Sequence, residues 1–334
     1  MKPGQCGWVA VALSIATCTF AAPVRAGSPD IWDIAVAPRL ARDMAAFRDA
    51  QRALIDAHRG GPDYGSRRRL LLNAMHLLER ADAVHSPDPR PRFLYGRVLA
   101  RLAHEERPEQ QRVYLEHAVQ VLEEAIAVTP EHPDAIDARF ALAVAYAKLG
   151  QPRKEIEVYN AILPLETSRT ERALIVMNQA EAHMVLGDLD RAVQGYRASL
   201  AITPDHALAH WGLAVALDRS GDPNGAVAQA WSALQYDPNA ETLHDDNVFF
   251  VPEYDRFWYD ALGTMARASH DPEPALASLW WRDAAGYWKR YIEAASAEDR
   301  WVAAARSRLK LCERKQRDSD ARALKRPLRS ASKP

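Results

Sequence analysis

Two histidines, His206 and His210, stand at i, i+4 spacing, which on a helix places both imidazoles on one face and would let them share a zinc ion. No third ligand stands nearby, and His210 falls at a packing position of the surrounding pattern, so the pair is expected to hold no metal. His244-Asp245-Asp246, just after Pro238, reads as a solvated turn, and Arg67-Arg68-Arg69, ahead of an amphipathic stretch, reads as a solvated face. The chain has no phosphate-binding Gly-rich loop, no Gly-x-Ser-x-Gly elbow, no His-Glu-x-x-His pair and no Cys-x-x-Cys pair. No catalytic constellation is in view, and no cofactor is expected.

The elements that carry these residues follow a period. Gly187 and Gly221 are 34 residues apart, as are Ala192 and Ala226, and Pro204 and Pro238. Each Gly follows an apolar helix-like segment, each Ala opens a second one, and each Pro closes it. A helix pair of this kind cannot bury its apolar face alone, so successive pairs must stack. Composition agrees with an all-helical body, with 48% hydrophobic and 26% charged residues.

The residues at fixed offsets from these markers resemble the tetratricopeptide repeat (TPR) family. With the turn glycine at position 15, residues 207–238 carry Leu213, Ala214, Leu217, Gly221, Ala226, Ala230, Ala233 and Pro238 at positions 7, 8, 11, 15, 20, 24, 27 and 32. Residues 173–204 carry Ala180, Gly187, Ala192, Tyr196 and Pro204 at their places, and residues 136–167 carry Leu142, Ala143, Tyr146, Gly150 and Tyr159, with Glu155 where a small residue is usual. Small residues at positions 8 and 20 let paired helices approach, and a glycine at 15 supplies the left-handed conformation that ends the first helix. The resemblance implies an all-α, right-handed α-solenoid of about five to six helix pairs with a C-terminal capping helix.

Weaker copies flank these three. Tyr95-Gly96, Leu99 and Leu102 read as a first helix and Ala118, Leu122, Ala125 and Pro130 as a second, with an overlong connection from Glu105 to Val113 between them. Further upstream, Ala74, Leu78 and Ala81 repeat the second-helix pattern, after a helix over residues 40–58. Downstream, residues 256–298 hold a degenerate unit marked by Leu262-Gly263, Ala284, Trp288 and Tyr291, and residues 299–315 form the cap. The whole of residues 27–315 is thus read as one solenoid, followed by a basic disordered tail over residues 316–334. The aromatic run Val248 to Tyr259, broken by Pro252, is expected to be an irregular link packed against the last repeats.

Specificity in this family lies on the concave side, at positions 2, 5, 9, 12 and 13 of each first helix. Here these include Phe93, Arg97, Phe140, Val144, Lys148, Met177, Glu181, Met184, Leu208, Trp211, Val215, Asp218 and Arg219. Some members hold a peptide's terminal carboxylate with Lys, Arg and Asn at positions 2, 5, 6 and 9. Only Asn178 matches well, because Phe140, Met177 and Trp211 fill the fifth places, which points to an apolar anchor with a charged rim. The alternative is that the chain's own terminal helices, or another copy, cover this face.

The N-terminus reads as an export signal, with Lys2, an apolar core from Trp8 to Ala16, and Val24-Arg25-Ala26 ahead of cleavage after Ala26. A rival reading lipidates Cys18, although Thr17 departs from the small residue usual before such a cysteine. Cleavage leaves Cys312 as the single cysteine, without a disulfide partner in the chain, and half-buried on the cap. From Glu313 to Pro334 eight basic residues face three acidic ones, a surplus that could touch anionic lipid peripherally. Nucleic acid is not expected as a partner. The sequence therefore points to a non-enzymatic scaffold of the bacterial cell envelope, periplasmic or secreted, that binds a protein or peptide in its groove. The alternative is an envelope enzyme subunit acting on glycan or peptide near residues 249–288.

Overall fold

The structure is a computed structural model, and it describes residues 31–58, 64–245, 248–296 and 298–325. The expected signal segment lies outside them. Among the described residues there are thirteen α-helices and no strand, and the chain divides into two compact units, Met1–Glu166 and Thr167–Pro334.

Unit 1 holds α1 (Ile31–His58), α2 (Tyr64–Arg80), α3 (Pro89–His104), α4 (Pro108–Val128), α5 (Ala135–Lys148) and α6 (Pro152–Ile162). The helices pack as the hairpins α1/α2, α3/α4 and α5/α6, and the first helices α3 and α5 also touch. Proline opens α3, α4 and α6, where the first-turn N–H groups have no intrahelical partner to lose. Asp88 caps α3 by accepting from the Arg90 backbone N–H at 3.0 Å. The core runs from Leu71 and Leu78 through Val98, Leu99 and Leu102 to Ala118 and Val121, all almost wholly buried. Gly96 holds α3 against α4, since a β-carbon there would lie 2.5 Å from Leu122.

Unit 2 holds α7 (Arg169–Leu186), α8 (Leu189–Ile202), α9 (Ala207–Arg219), α10 (Pro223–Tyr236), α11 (Arg256–His270), α12 (Pro274–Ala294) and α13 (Val302–Lys325). Each helix packs on the next. Gly187 and Gly221 sit in the left-handed region at φ 81° and 94°, as the turn position requires. Tyr196 of α8 lies over Gly212 of α9, and Trp211 lies over Gly263 of α11, so absent side chains on one helix make room for rings from its neighbour. Between α10 and α11 the link contains a cis Val251–Pro252 bond and a 3-10 turn, Glu253–Asp255. Its aromatics pack inward: Phe250 meets the Tyr259 ring at 5.1 Å and Tyr254 meets Tyr291 at 5.4 Å.

Three boundaries differ from expectation. The extra residues between α3 and α4 form no long loop, because α4 begins already at Pro108 and absorbs them as additional turns. Where the repeat was expected to open at Ala173, α7 starts four residues earlier, at Arg169, behind a Ser168 cap that accepts from Glu171 N–H at 3.3 Å. The last helix does not stop at residue 315 but continues to Lys325, a stretch free of Gly and Pro and tied down by Ser278 donating to Asp320 at 2.5 Å. The rest of the expected disordered tail, residues 326–334, lies outside the described residues.

Candidate functional site

The concave positions of unit 2 face the unit's own later elements. Arg219 ends α9 with its side chain 3% exposed and donates to Asp255 of the 3-10 turn at 2.8 Å. Its guanidinium lies between the rings of Trp258 and Trp301, 4.8 and 5.2 Å from their centres. Burial alone would lower the Arg219 pKa, but the Asp255 carboxylate overrides it and holds the guanidinium firmly protonated. The preceding residue, Asp218, is fully buried at its side chain and accepts from Arg308 of α13 at 2.7 Å. Burial raises the Asp218 and Asp255 carboxyls, with the arginines pulling the other way.

A second polar knot lies on α7. Glu181 accepts from the Tyr196 hydroxyl and, at 3.3 Å, from the Tyr259 hydroxyl, and burial raises its pKa. Asp299, ahead of α13, accepts from Tyr254 at 2.8 Å and Tyr291 at 3.0 Å. Together these contacts fasten the turn, α11 and the start of α13 onto the inner side of α7 and α9. Met184, Trp211, Val215 and Asp218 are accordingly 1% exposed or less, and Met177 and Arg219 are buried too. Of the expected groove residues in unit 2, only Asn178, Glu181 and Leu208 remain partly exposed. The run Val248 to Tyr259 supplies much of this cover, and Trp258, Trp281 and Trp288 are core side chains.

In unit 1 the corresponding face is less filled. Arg97, Phe140, Val144 and Lys148 are half-buried, while Phe93 is buried against Leu122 and the His132 ring. Arg97 pairs with Asp137 at 3.2 Å, and burial lowers its pKa. Lys148 donates to His104 Nδ1 at 2.8 Å, and burial together with the nearby Arg101 pushes its ammonium down to about 8. Arg67 and Arg68 are not a solvated face: they reach from α2 to Glu105 and Glu106 at 3.3 and 2.7 Å. Sequence reasoning passed over Arg101, although Arg101 occupies the same register on α3 as Lys148 on α5 and Arg219 on α9.

The remaining chemistry-bearing residues have structural roles. His206 caps α9 by accepting from Ala209 N–H at 3.2 Å, and His210 touches Gln229 at 2.8 Å and the Pro204 carbonyl at 3.0 Å while stacking on Tyr236. Among the described residues no group of three His, Cys, Asp or Glu side chains could hold a metal ion. His244 approaches Asp260 at 3.3 Å, and Asp246 lies outside the described residues. Cys312 is wholly buried, not half-buried, because it sits on the face of α13 turned to α12, where burial pushes its thiol up to about 12. No described helix is long and apolar enough to cross a membrane.

No protein-family model matches the chain, and no curated protein matches it. Solved structures similar to it include MamA residues 41 to the end from Desulfovibrio magneticus RS-1, at 17% identity and a TM-score of 0.46, covering 59% of this chain and 96% of that one. A MamA RS-1 double mutant gives 16% identity and a TM-score of 0.47, covering 60% and 97%. YrrB, described as a TPR protein with an unusual peptide-binding site, gives 16% and 0.45, covering 66% and 100%. The chain's own geometry is the firmer ground: left-handed turn glycines at the period, buried small residues at Ala180, Ala192, Ala214 and Ala226, and ring-filled gaps between successive hairpins. The protein is an all-α array of tetratricopeptide-like helix pairs.

Proposed function

We propose that this chain is a non-enzymatic interaction scaffold of the bacterial cell envelope, and that a protein or peptide partner sits on the concave face of unit 1. One contrast carries the reading. The inner positions of unit 2 are filled by the chain's own turn and last helix, whereas Arg97, Phe140, Val144 and Lys148 of unit 1 keep part of their surface open. Repeat arrays bind through such inner surfaces. The envelope location rests on the leader pattern, with release after Ala26, periplasmic or secreted; lipidation at Cys18 is the competing route. Peripheral contact with anionic lipid would come from the basic C-terminal residues.

Crosslinking in the native cell followed by mass spectrometry tests both parts. A defined partner crosslinked to unit 1, on a protein whose first residue is Gly27, supports the reading. A chain retaining residues 1–26 would remove the envelope assignment, and a chain with no reproducible partner would remove the scaffold. Turnover of peptidoglycan fragments by the purified protein would replace it with the enzymatic alternative.

A further inference from the structure

The last helix, α13, has two faces of different character. Ala305, Cys312 and Ser319 are buried along one side, and opposite them Arg306, Lys310, Arg314, Arg317, Ala321 and Leu324 follow one another at steps of three or four residues, all exposed. Together with Lys325 they fall within an arc of about 100° on the outer side, in a row about 28 Å long. None of the five cations in this row has a hydrogen-bond or ion-pair partner among the described residues.

No acid lies on the arc. Glu313, at one edge, turns to Lys289 of α12 at 3.8 Å, Asp320 accepts from Ser278, and Asp318 marks the other edge. Over all of α13 eight cations stand against three acids, so its outer face carries charge that the protein itself leaves unneutralised. The sequence beyond Lys325 adds Arg326, Arg329 and Lys333 and no acid.

Apolar surface is uncovered at the far end of the row. Leu324 is 89% exposed, and Leu276 and Leu279, 50% and 44% exposed, flank the Ser278 that meets Asp320. A convex rod with unpaired cations along its length and leucines at its end matches a flat anionic sheet with an apolar layer just beneath. A nucleic-acid face would carry aromatic rings for stacking or amide side chains for base edges, and the arc has neither. An acidic peptide would find no groove on a single convex helix.

We propose that the outer face of α13 is a docking surface for an anionic phospholipid bilayer, with the Arg306 to Lys325 row laid along the headgroups and Leu324 entering the boundary. This deepens the peripheral lipid contact of the proposed function and rests on that reading. It assigns the contact to an ordered helix face.

The test is cosedimentation of the chain from Gly27 onward, which holds every described residue, with vesicles of phosphatidylglycerol and phosphatidylethanolamine. Binding should be lost in phosphatidylcholine vesicles and should weaken with salt. Arg306→Gln/Lys310→Gln/Arg314→Gln/Arg317→Gln should lower affinity about a hundredfold or more, at roughly fivefold per cation. Arg52→Gln/Arg80→Gln/Arg112→Gln/Arg153→Gln removes four exposed cations of unit 1, the same change in net charge, and should leave binding close to that of the parent. Circular dichroism melts of both variants show that the fold persists. Equal losses in the two variants, equal binding to phosphatidylcholine, or equally tight retention by duplex DNA or polyglutamate overturns the proposal. A row variant that binds as the parent does would return the contact to the residues beyond Lys325 and overturn this inference alone. A parent chain that ignores anionic vesicles would remove the lipid contact altogether and leave the unit 1 scaffold standing.

Discussion

Arg219 and Asp255 lie 36 residues apart in sequence and 2.8 Å apart in space, and both side chains are almost wholly removed from water. The pair joins the inner side of the repeat array to the turn that covers it. Asp255→Asn should leave the guanidinium buried without its counter-charge and cost about 3–5 kcal/mol in urea unfolding. Replacing both together, as Arg219→Met with Asp255→Leu, should cost much less. A double replacement as damaging as the single one would mean that the packing of the turn, not the charge pair, sets the loss.

The Glu181 carboxyl is raised by burial, so its folded state binds a proton more readily than its unfolded state. Its contribution to stability is therefore complete below the ordinary glutamate range and is lost as pH rises through the raised value. Glu181→Gln keeps an acceptor for Tyr196 and Tyr259 and removes this dependence. The variant should be at least as stable as the parent near neutral pH, and the difference should shrink on acidification toward the glutamate range. Denaturation midpoints across that range check the slope, and a gap that widens on acidification contradicts it.

Trp211 sits at a position where the sequence suggests a peptide contact, yet it is 1% exposed beneath α11. Trp211→Ala should therefore act as a core deletion and cost about 3–5 kcal/mol, as should Trp258→Ala. A Trp211→Ala protein of unchanged melting temperature that fails to bind its partner would restore the binding role.

Two glycines in one repeat should respond differently to alanine. At Gly212 a β-carbon would enter the Tyr196 ring, so Gly212→Ala should destabilise by about 1–3 kcal/mol through overpacking. At Gly221 the space is open but φ is 94°, and Gly221→Ala should cost about 1–2 kcal/mol through backbone strain alone. Gly212→Ala combined with Tyr196→Leu should recover part of its loss, whereas no side-chain change near Gly221 should rescue the second variant. Chemical denaturation of the four proteins separates the two causes.

Cys312 reports on the last helix. Its buried, weakly acidic thiol should react slowly with a disulfide reagent in the native protein, and Arg308→Ala, which strips the partner from Asp218, should speed the reaction. Fast labelling of the parent chain would show that α13 leaves its seat readily.

The hairpins were legible because their signals are local: Gly187, Gly221, Pro204 and Pro238 act within a turn or two of themselves. The extended starts of α4 and α7 were legible in principle from Pro108 and from the Ser168-Arg-Thr-Glu171 cap, but a fixed repeat length masked them. The roles of Asp218 and Arg219 were not, since the groups that neutralise them, Arg308 and Asp255, arrive from distant segments whose docking no periodicity announces. The histidine pair, His206 and His210, has roles that its spacing alone does not give. Its i, i+4 spacing is that of a shared ligand, whereas one ring caps a helix and the other packs on Tyr236.

Along α13 the buried positions are Ala305, Cys312 and Ser319, seven residues apart each time and all small. A seven-residue stripe keeps one flank of a helix against a neighbour over several turns, and small side chains bring the two backbones near. Reading frame along this rod is consequently a mechanical variable. Deleting a single residue between Cys312 and Ser319 would swing everything beyond it by roughly 100°, throwing Ser319 outward and unzipping Asp320 from Ser278 while leaving every repeat upstream untouched.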